Sequence, residues 1–249
     1  MIQGLYQSAA GMLVNEYRQG VLANNIANAD SAGFKRDIPM LAERVPAAQA
    51  GQKQGPSDVQ LTDLSGGVWL GRTLTDFAEG SNTQTGNPLD VALQGHGFLV
   101  VGKDGRQLLT RDGRMVMNAA GQLVAASDGA YMLDTSGQPI RLDPNGGPVQ
   151  INEEGVISQK NKAVAQLGRV DVANYATLQK AGADRFIATD GSVAAAQTIV
   201  RSGYVEGSGV QPVQELVSMI EASRAYQLNA QMVSLQDETA GRLINAVAA

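Results

Sequence analysis

Apolar side chains recur at three- and four-residue spacing at both ends of the chain, while the middle is written in short apolar runs separated by turn residues. Near the start, Leu5, Ala9, Met12, Gln19, Ala23 and Ile26 lie on one such lattice, broken by Glu16, and Leu13, Tyr17 and Val21 form a row beside it. That period belongs to an amphipathic helix, here of about 24 residues and roughly 36 Å. It stops where Asn28-Ala29-Asp30-Ser31-Ala32-Gly33 supplies cap and turn residues. Near the end, Leu216, Met219, Ser223, Tyr226, Ala230, Val233, Asp237, Ala240, Ile244 and Val247 alternate steps of three and four without a slip. Pro212 suits a first helical turn, and Glu215 suits the positive end of the helix dipole. A helix over 212–247 would be about 54 Å long, with a seam at coiled-coil spacing.

Between these ends helical periodicity is lost. Pro39, Pro46 and Pro56 break any long helix over 37–80, and residues 51–55 (Gly-Gln-Lys-Gln-Gly) read as an exposed loop. Val68, Trp69, Leu70, Leu74 and Phe77 then suggest extended chain leading back to a β region. From residue 81 onward the runs are short: 98–101, 108–110, 114–117, 123–125 and 131–133, with further ones at 148–151, 156–158, 164–172 and 185–188. Asp104-Gly105, Asp112-Gly113 and Asp128-Gly129 stand among them, and Asp-Gly between apolar runs is a strong local hairpin signal. The predicted organisation is a terminal helix within 1–36, a linker over 37–80, an antiparallel β-rich domain over 81–205 and a second terminal helix within 206–249. The fold class is α+β, with the two long helices forming a coiled-coil-like domain.

Composition narrows the function. The formal charge of −5 and the lack of any Lys/Arg run speak against nucleic acid. With no cysteine and a single histidine, a disulfide framework, a thiolate zinc site and an iron–sulfur cluster are excluded. Gly, at 29 of 249 residues, follows no strict period and fits many tight turns. No run of 18 apolar residues predicts a membrane span. The opening Met1-Ile2-Gln3-Gly4-Leu5-Tyr6 lacks the basic and apolar regions of a cleaved secretory signal.

Catalytic candidates are few. His96 lies between Gly95 and Gly97, with no adjacent nucleophile or carboxylate in a triad-like pattern, and reads as a turn or strand-edge residue. Gly203, Gly207 and Gly209 precede a helix without the Lys and Ser/Thr of a phosphate-binding loop, so they read as a joint. The Asp-Gly pairs lack the alternating acidic ligands of a calcium loop. A carbohydrate-acting enzyme would need a carboxylate pair, which no local pattern nominates. The stronger expectation concerns surface. Two terminal helices paired only with each other leave apolar area uncovered, and such area marks an interaction surface.

Several blocks resemble one family. Residues 23–35, Ala-Asn-Asn-Ile-Ala-Asn-Ala-Asp-Ser-Ala-Gly-Phe-Lys, look like the N-terminal signature of bacterial flagellar rod and hook proteins, with Ser31-Ala32 in place of Thr-Pro. Gly86 to Leu99, Thr110-Arg111-Asp112-Gly113 and Gly121-Gln122-Leu123-Val124 resemble that family's middle. Gly203 to Val210 stands where the family has a Leu-Glu-x-Ser-Asn-Val sequence, with Gly209 in place of Asn, and Met219 to Tyr226 is similar to its C-terminal helix. Length and the blocks at 148–157 and 167–170 are most similar to proximal-rod members; distal-rod or hook-type axial subunits are the next reading, and an all-β binding module the last.

The resemblance implies a structural subunit of the basal-body rod. Its partners would be further copies of itself, other rod proteins and the flagellar type III export apparatus, with no cleavable signal peptide, cofactor, metal, nucleic acid or small-molecule substrate. The terminal helices would form the inner domain. The assembly residues expected there are Leu5, Ala9, Met12, Leu22, Asn24, Asn25, Ile26 and Asn28 at one end and Leu216, Met219, Ile220, Tyr226, Ala230, Val233 and Ile244 at the other. The asparagines at 24–28 would fix register through inter-helix hydrogen bonds, as buried polar positions do in coiled coils.

Overall fold

The structure, a computed structural model, describes residues 2–43, 67–182, 184–189, 193–195 and 198–248; the expected loop around Pro46, residues 51–55 and Pro56 lies outside them. The chain divides into two compact units. Unit 1 gathers Met1–Ala27, Asp37–Thr75 and Gln211–Ala249; unit 2 gathers Asn28–Arg36 and Asp76–Val210.

Unit 1 consists of helix α1 (Ile2–Ala27), strands β1 (Asp37–Glu43) and β2 (Val68–Thr75), and helix α2 (Pro212–Ala248). The helices run antiparallel, since Gly4, Gly11 and Asn25 meet Gln236, Asn229 and Glu215 in that order. A Cβ on Gly4 would lie 2.9 Å from Gln236 Nε2, and one on Gly11 2.9 Å from Asn229 Nδ2. Small residues on one helix therefore receive polar side chains of the other.

This overturns the expected coiled-coil-like pair. A coiled coil interlocks apolar knobs along a continuous seam, whereas here glycine, amide and carboxylate groups enter the contact and Leu216 and Ile244 of the expected seam are exposed. The α+β class stands, with a β-hairpin as part of the helical unit. β1 and β2 pair antiparallel from Asp37↔Thr75 to Glu43↔Val68. Their register shifts between Pro39 and Leu41, where proline has no N–H to give the ladder.

Unit 2 is built of antiparallel sheets. Its strands are β3 (Asn82–Gln84), β4 (Val91–Gln94), β5 (Phe98–Lys103), β6 (Arg106–Thr110), β7 (Met115–Met117), β8 (Leu123–Ala125), β9 (Tyr131–Met132), β10 (Val149–Ile151) and β11 (Val156–Gln159). They continue with β12 (Lys162–Gln166), β13 (Arg169–Val172), β14 (Leu178–Lys180), β15 (Arg185–Ala188), β16 (Val193–Ala195), β17 (Ile199–Ser202) and β18 (Tyr204–Glu206). A nine-stranded sheet runs β14-β15-β6-β5-β9-β8-β7, with β13 paired to β5 and β16 to β13. A three-stranded meander, β10-β11-β12, and the pairs β4–β17 and β3–β18 complete the unit. Asp104 and Gly105 join β5 to β6 with φ of 50° and 72°, the doubly positive turn that matches strand twist and that Asp-Gly favours.

The run Phe98-Leu99-Val100-Val101 is buried throughout because β5 has packed side chains on both faces. Leu99 and Val101 enter a core with Val91, Met115, Met132 and Leu167. Phe98 and Val100 enter a second core with Phe186, Leu109 and Val172, against which Phe77 and Tyr175 pack. Ring centroids there lie 5.6 Å apart for Phe98–Phe186 and 5.2 Å for Phe77–Phe186, within the favoured range for aromatic pairs. Three of the chain's 4 phenylalanines are thus spent on one cluster.

Candidate assembly surface

Unit 1 shows its apolar residues outward. At about 100° per residue, Val213, Val217, Ile220, Leu228 and Leu235 fall on the side of α2 opposite Glu215 and Ala222, which are buried. Ile220 is 54% exposed and Leu228 63%. On α1, Tyr6, Leu13 and Tyr17 form an open row, with Leu13 at 62%; Tyr17 shares a hydrogen bond with Thr73 of β2. The hairpin adds Met40, Leu41, Val68, Trp69 and Leu74, all exposed. Scattered exposed hydrophobics are ordinary, but helical rows of them mark a contact surface.

The residues expected from the sequence sort into three groups. Leu5, Asn24, Leu216, Ile220 and Ile244 are open to solvent. Ala9, Met12, Ile26, Asn28, Met219, Tyr226, Ala230 and Val233 are half-buried. Leu22 and Asn25 are buried within the subunit. Ile244 lies beyond Gln236, which already meets Gly4 near the start of α1. Asn25 is 0% exposed. Its Nδ2 donates to the Asp37 carbonyl at 2.9 Å and to Glu215 Oε2 at 3.2 Å, and its Oδ1 accepts from the Asp37 N–H at 2.9 Å. One amide thereby ties α1 to β1 and to α2. Asn28 ends the helix, its backbone carbonyl and Oδ1 accepting from the N–H and hydroxyl of Ser31.

Sequence reasoning missed Tyr6, Val213, Val217, Leu228, Leu235 and the whole hairpin face. The signal was available in part. Val213, Val217, Ile220, Leu228 and Leu235 carry a second period on α2, parallel to the seam that was followed.

The residues weighed for catalysis are occupied otherwise. The Tyr175 hydroxyl donates to Asp171 Oδ1 at 2.8 Å and lies 3.3 Å from His96 Nδ1. Burial, reinforced by Asp171, pushes that phenol up to about 12, the wrong direction for a nucleophile. An open cleft of about 490 Å³ between β6 and β15 is lined by Lys103, Arg106 and Arg185. Lys103 and Arg185 are already committed to Asp128, at 3.1 and 2.7 Å.

Comparison with known proteins agrees from end to end. Residues 5–35 match the family described as "Flagella basal body rod protein", residues 92–159 the "Flagellar hook protein FlgE/F/G D1 domain", and residues 201–246 the "Flagellar basal body rod FlgEFG protein C-terminal". A flagellar basal-body rod protein FlgF of Caulobacter vibrioides is 33% identical over 94% of this chain and 93% of its own length. The FlgF of Mesorhizobium japonicum is 29% identical over 94% of this chain and 92% of its own. A FlgG of Buchnera aphidicola subsp. Schizaphis graminum is 28% identical over 98% of this chain and 99% of its own.

Proposed function

The chain belongs to the flagellar basal-body rod protein family, and we propose that it is a structural subunit of the proximal rod. In this role it joins other copies of itself and other rod proteins in a helical shaft that carries motor torque to the hook and filament. Heterologous contacts that do not close generate such a shaft. The carrying observation is the 33% identity to a rod protein across 94% of the chain. The open apolar rows of unit 1 supply the means. Each large side chain covered by a neighbour contributes roughly 1.5–3 kcal/mol before ordering and association costs. The helices of unit 1 would pack with those of neighbours in the inner part of the shaft, through those of the fifteen residues named from the sequence that are open or half-buried, together with the outer row of α2; Leu22 and Asn25, buried within the subunit, would support that surface from inside.

The proximal position rests on 33% identity to a FlgF against 28% to the FlgG relatives. Alignment of a FlgG over 98% of the chain favours the distal rod as the second reading. On this reading the chain has no catalytic role, reaches the periplasm-spanning rod through the flagellar export apparatus, and binds neither nucleic acid nor a small-molecule substrate. The test is Ile220→Asp in cells lacking the native copy. The purified variant is expected to keep its circular dichroism and melting temperature while rods fail to incorporate it and swimming is lost. Normal swimming with normal incorporation would refute the surface.

A further inference from the structure

Blocks that carry the sequence resemblance lie far apart in the chain, and in unit 2 they meet at one carboxylate. Glu206 accepts from Lys35 Nζ at 2.6 Å, from the Gly80 N–H at 3.0 Å and from Arg111 Nη1 at 3.2 Å. All three charged side chains are within 3% of complete burial. Lys35 Nζ also donates to the Ala78 carbonyl at 2.7 Å, and Arg111 Nη2 to the Gly95 carbonyl at 2.7 Å. Backbone bonds draw the same segments together: Gly33 N–H to the Glu206 carbonyl at 2.8 Å, Gly207 N–H to Ser81 at 2.7 Å, and Gly209 N–H to Phe34 at 2.9 Å. Gly33 has φ of 67°, and a Cβ there would lie 2.3 Å from the Arg111 carbonyl carbon. Only glycine fits so close a passage.

Two buried cations on one carboxylate form a lopsided arrangement. Without Glu206 both positive charges would be desolvated and unpaired, which is far costlier than losing an exposed pair. Burial already holds the Lys35 ammonium below its ordinary value of 10.5, while Glu206 pulls it back up. The backbone bonds named above lie outside the nine-stranded sheet. Elements stabilised by separate contacts open separately.

We propose that residues 28–36, 78–81 and 204–210 form one cooperative closure, latched by Glu206 on Lys35 and Arg111, that opens and shuts while the nine-stranded sheet, with Phe77 packed against its core, stays folded. Chain order gives the latch its use. Glu206 follows Lys35 by 171 residues and Arg111 by 95. A chain delivered from its N-terminus completes β5 and β6 long before it can latch, so closure registers arrival of the chain through residue 206.

Native-state hydrogen exchange on the full chain tests this with Glu206→Gln. The Gly207 and Gly209 amides are decisive, because their acceptors, on Ser81 and Phe34, are untouched by the substitution. They are expected to lose protection together by at least tenfold, with the β5–β6 amides changing less than threefold. Equal loss in both sets, or in neither, would overturn the latch. Should Glu206→Gln fail to fold, Glu206→Asp keeps the charge but shortens its reach, and the same split between the two sets is required of it. Adding Lys35→Met to Glu206→Gln removes one stranded cation and is expected to restore part of the protection; no recovery would count against the proposal.

Discussion

In unit 2 the run Phe98–Val101 is covered on both faces of a sheet, whereas in unit 1 Ile220 and Leu228 stand more than half exposed on a helix of 37 residues. The side chains are alike in apolar area, so the difference lies in layers. A sheet with a core on each face has enclosed its apolar residues. A helix pair with one hairpin covers one side of each helix and leaves the other for something outside the subunit. The contrast separates the part of this chain that encloses its apolar side chains from the part that leaves them open, where we place assembly.

The largest effect is expected in the second core. Phe186 is completely buried, touching Phe77 and Phe98. Phe186→Ala should cost about 3–5 kcal/mol through lost burial and a residual cavity. Urea denaturation followed by exchange of the β5–β6 amides would measure it. A cost under about 1 kcal/mol would mean that unit 2 is not the stability reserve described, and the contrast would fail on that side.

An intermediate effect is expected at Asn25, which is as fully buried as the core of unit 2. Asn25→Leu removes three hydrogen bonds at a fully buried site, two of them to the backbone of Asp37 and one to the Glu215 carboxylate. A loss of about 2–4 kcal/mol follows from the cost of unsatisfied buried groups. A thermal melt by far-ultraviolet circular dichroism reads it, and Asn25→Asp at neutral pH should fare no better, since it sets a carboxylate against Glu215. Full stability of Asn25→Leu would show that the closure of unit 1 at this point does not depend on the amide.

How far the sequence disclosed this depends on the range of each interaction. Helix extents were legible because three- and four-residue spacing is local, and α2 begins at Pro212 as expected. The Asp104-Gly105 turn was legible because its two positive φ angles are a property of that dipeptide. Asp112-Gly113 has the same letters and another purpose: Asp112 is buried against Arg114, and a Cβ on Gly113 would lie 1.8 Å from the Val91 carbonyl. Nothing local separates the two cases. The helix contact was misread for a related reason, since Gly4, Gly11 and Asn229 leave no apolar period to follow. Of the exposed residues, Leu5 and Ile244 lie on the spacing that the sequence displays, while the β1–β2 face depended on a long-range pairing that three prolines disguised. Lys35, Arg111 and Glu206 sat inside blocks already noticed, and only the fold could bring them to one point.

The smallest effect on stability is the sharpest test of the contrast, because it separates exposure from position. Leu228 lies on the open row of α2 at 63% exposure, and Val116 lies on β7 of unit 2 at 44%. Replacing either by serine removes apolar surface that already faces water, so each variant should unfold within about 0.5 kcal/mol of the parent chain. Their consequences for assembly should diverge. Leu228→Ser takes a member from a helical row and should lower incorporation into rods, scored on isolated basal bodies; Val116→Ser alters an exposed apolar residue of unit 2, away from that row, and should leave incorporation unchanged. Equal loss for both would mean that unit 2 also meets its neighbours through apolar contacts, and the division of labour between the units would dissolve. Unchanged incorporation for both would remove the outer face of α2 from the interface and leave assembly to α1 and the hairpin.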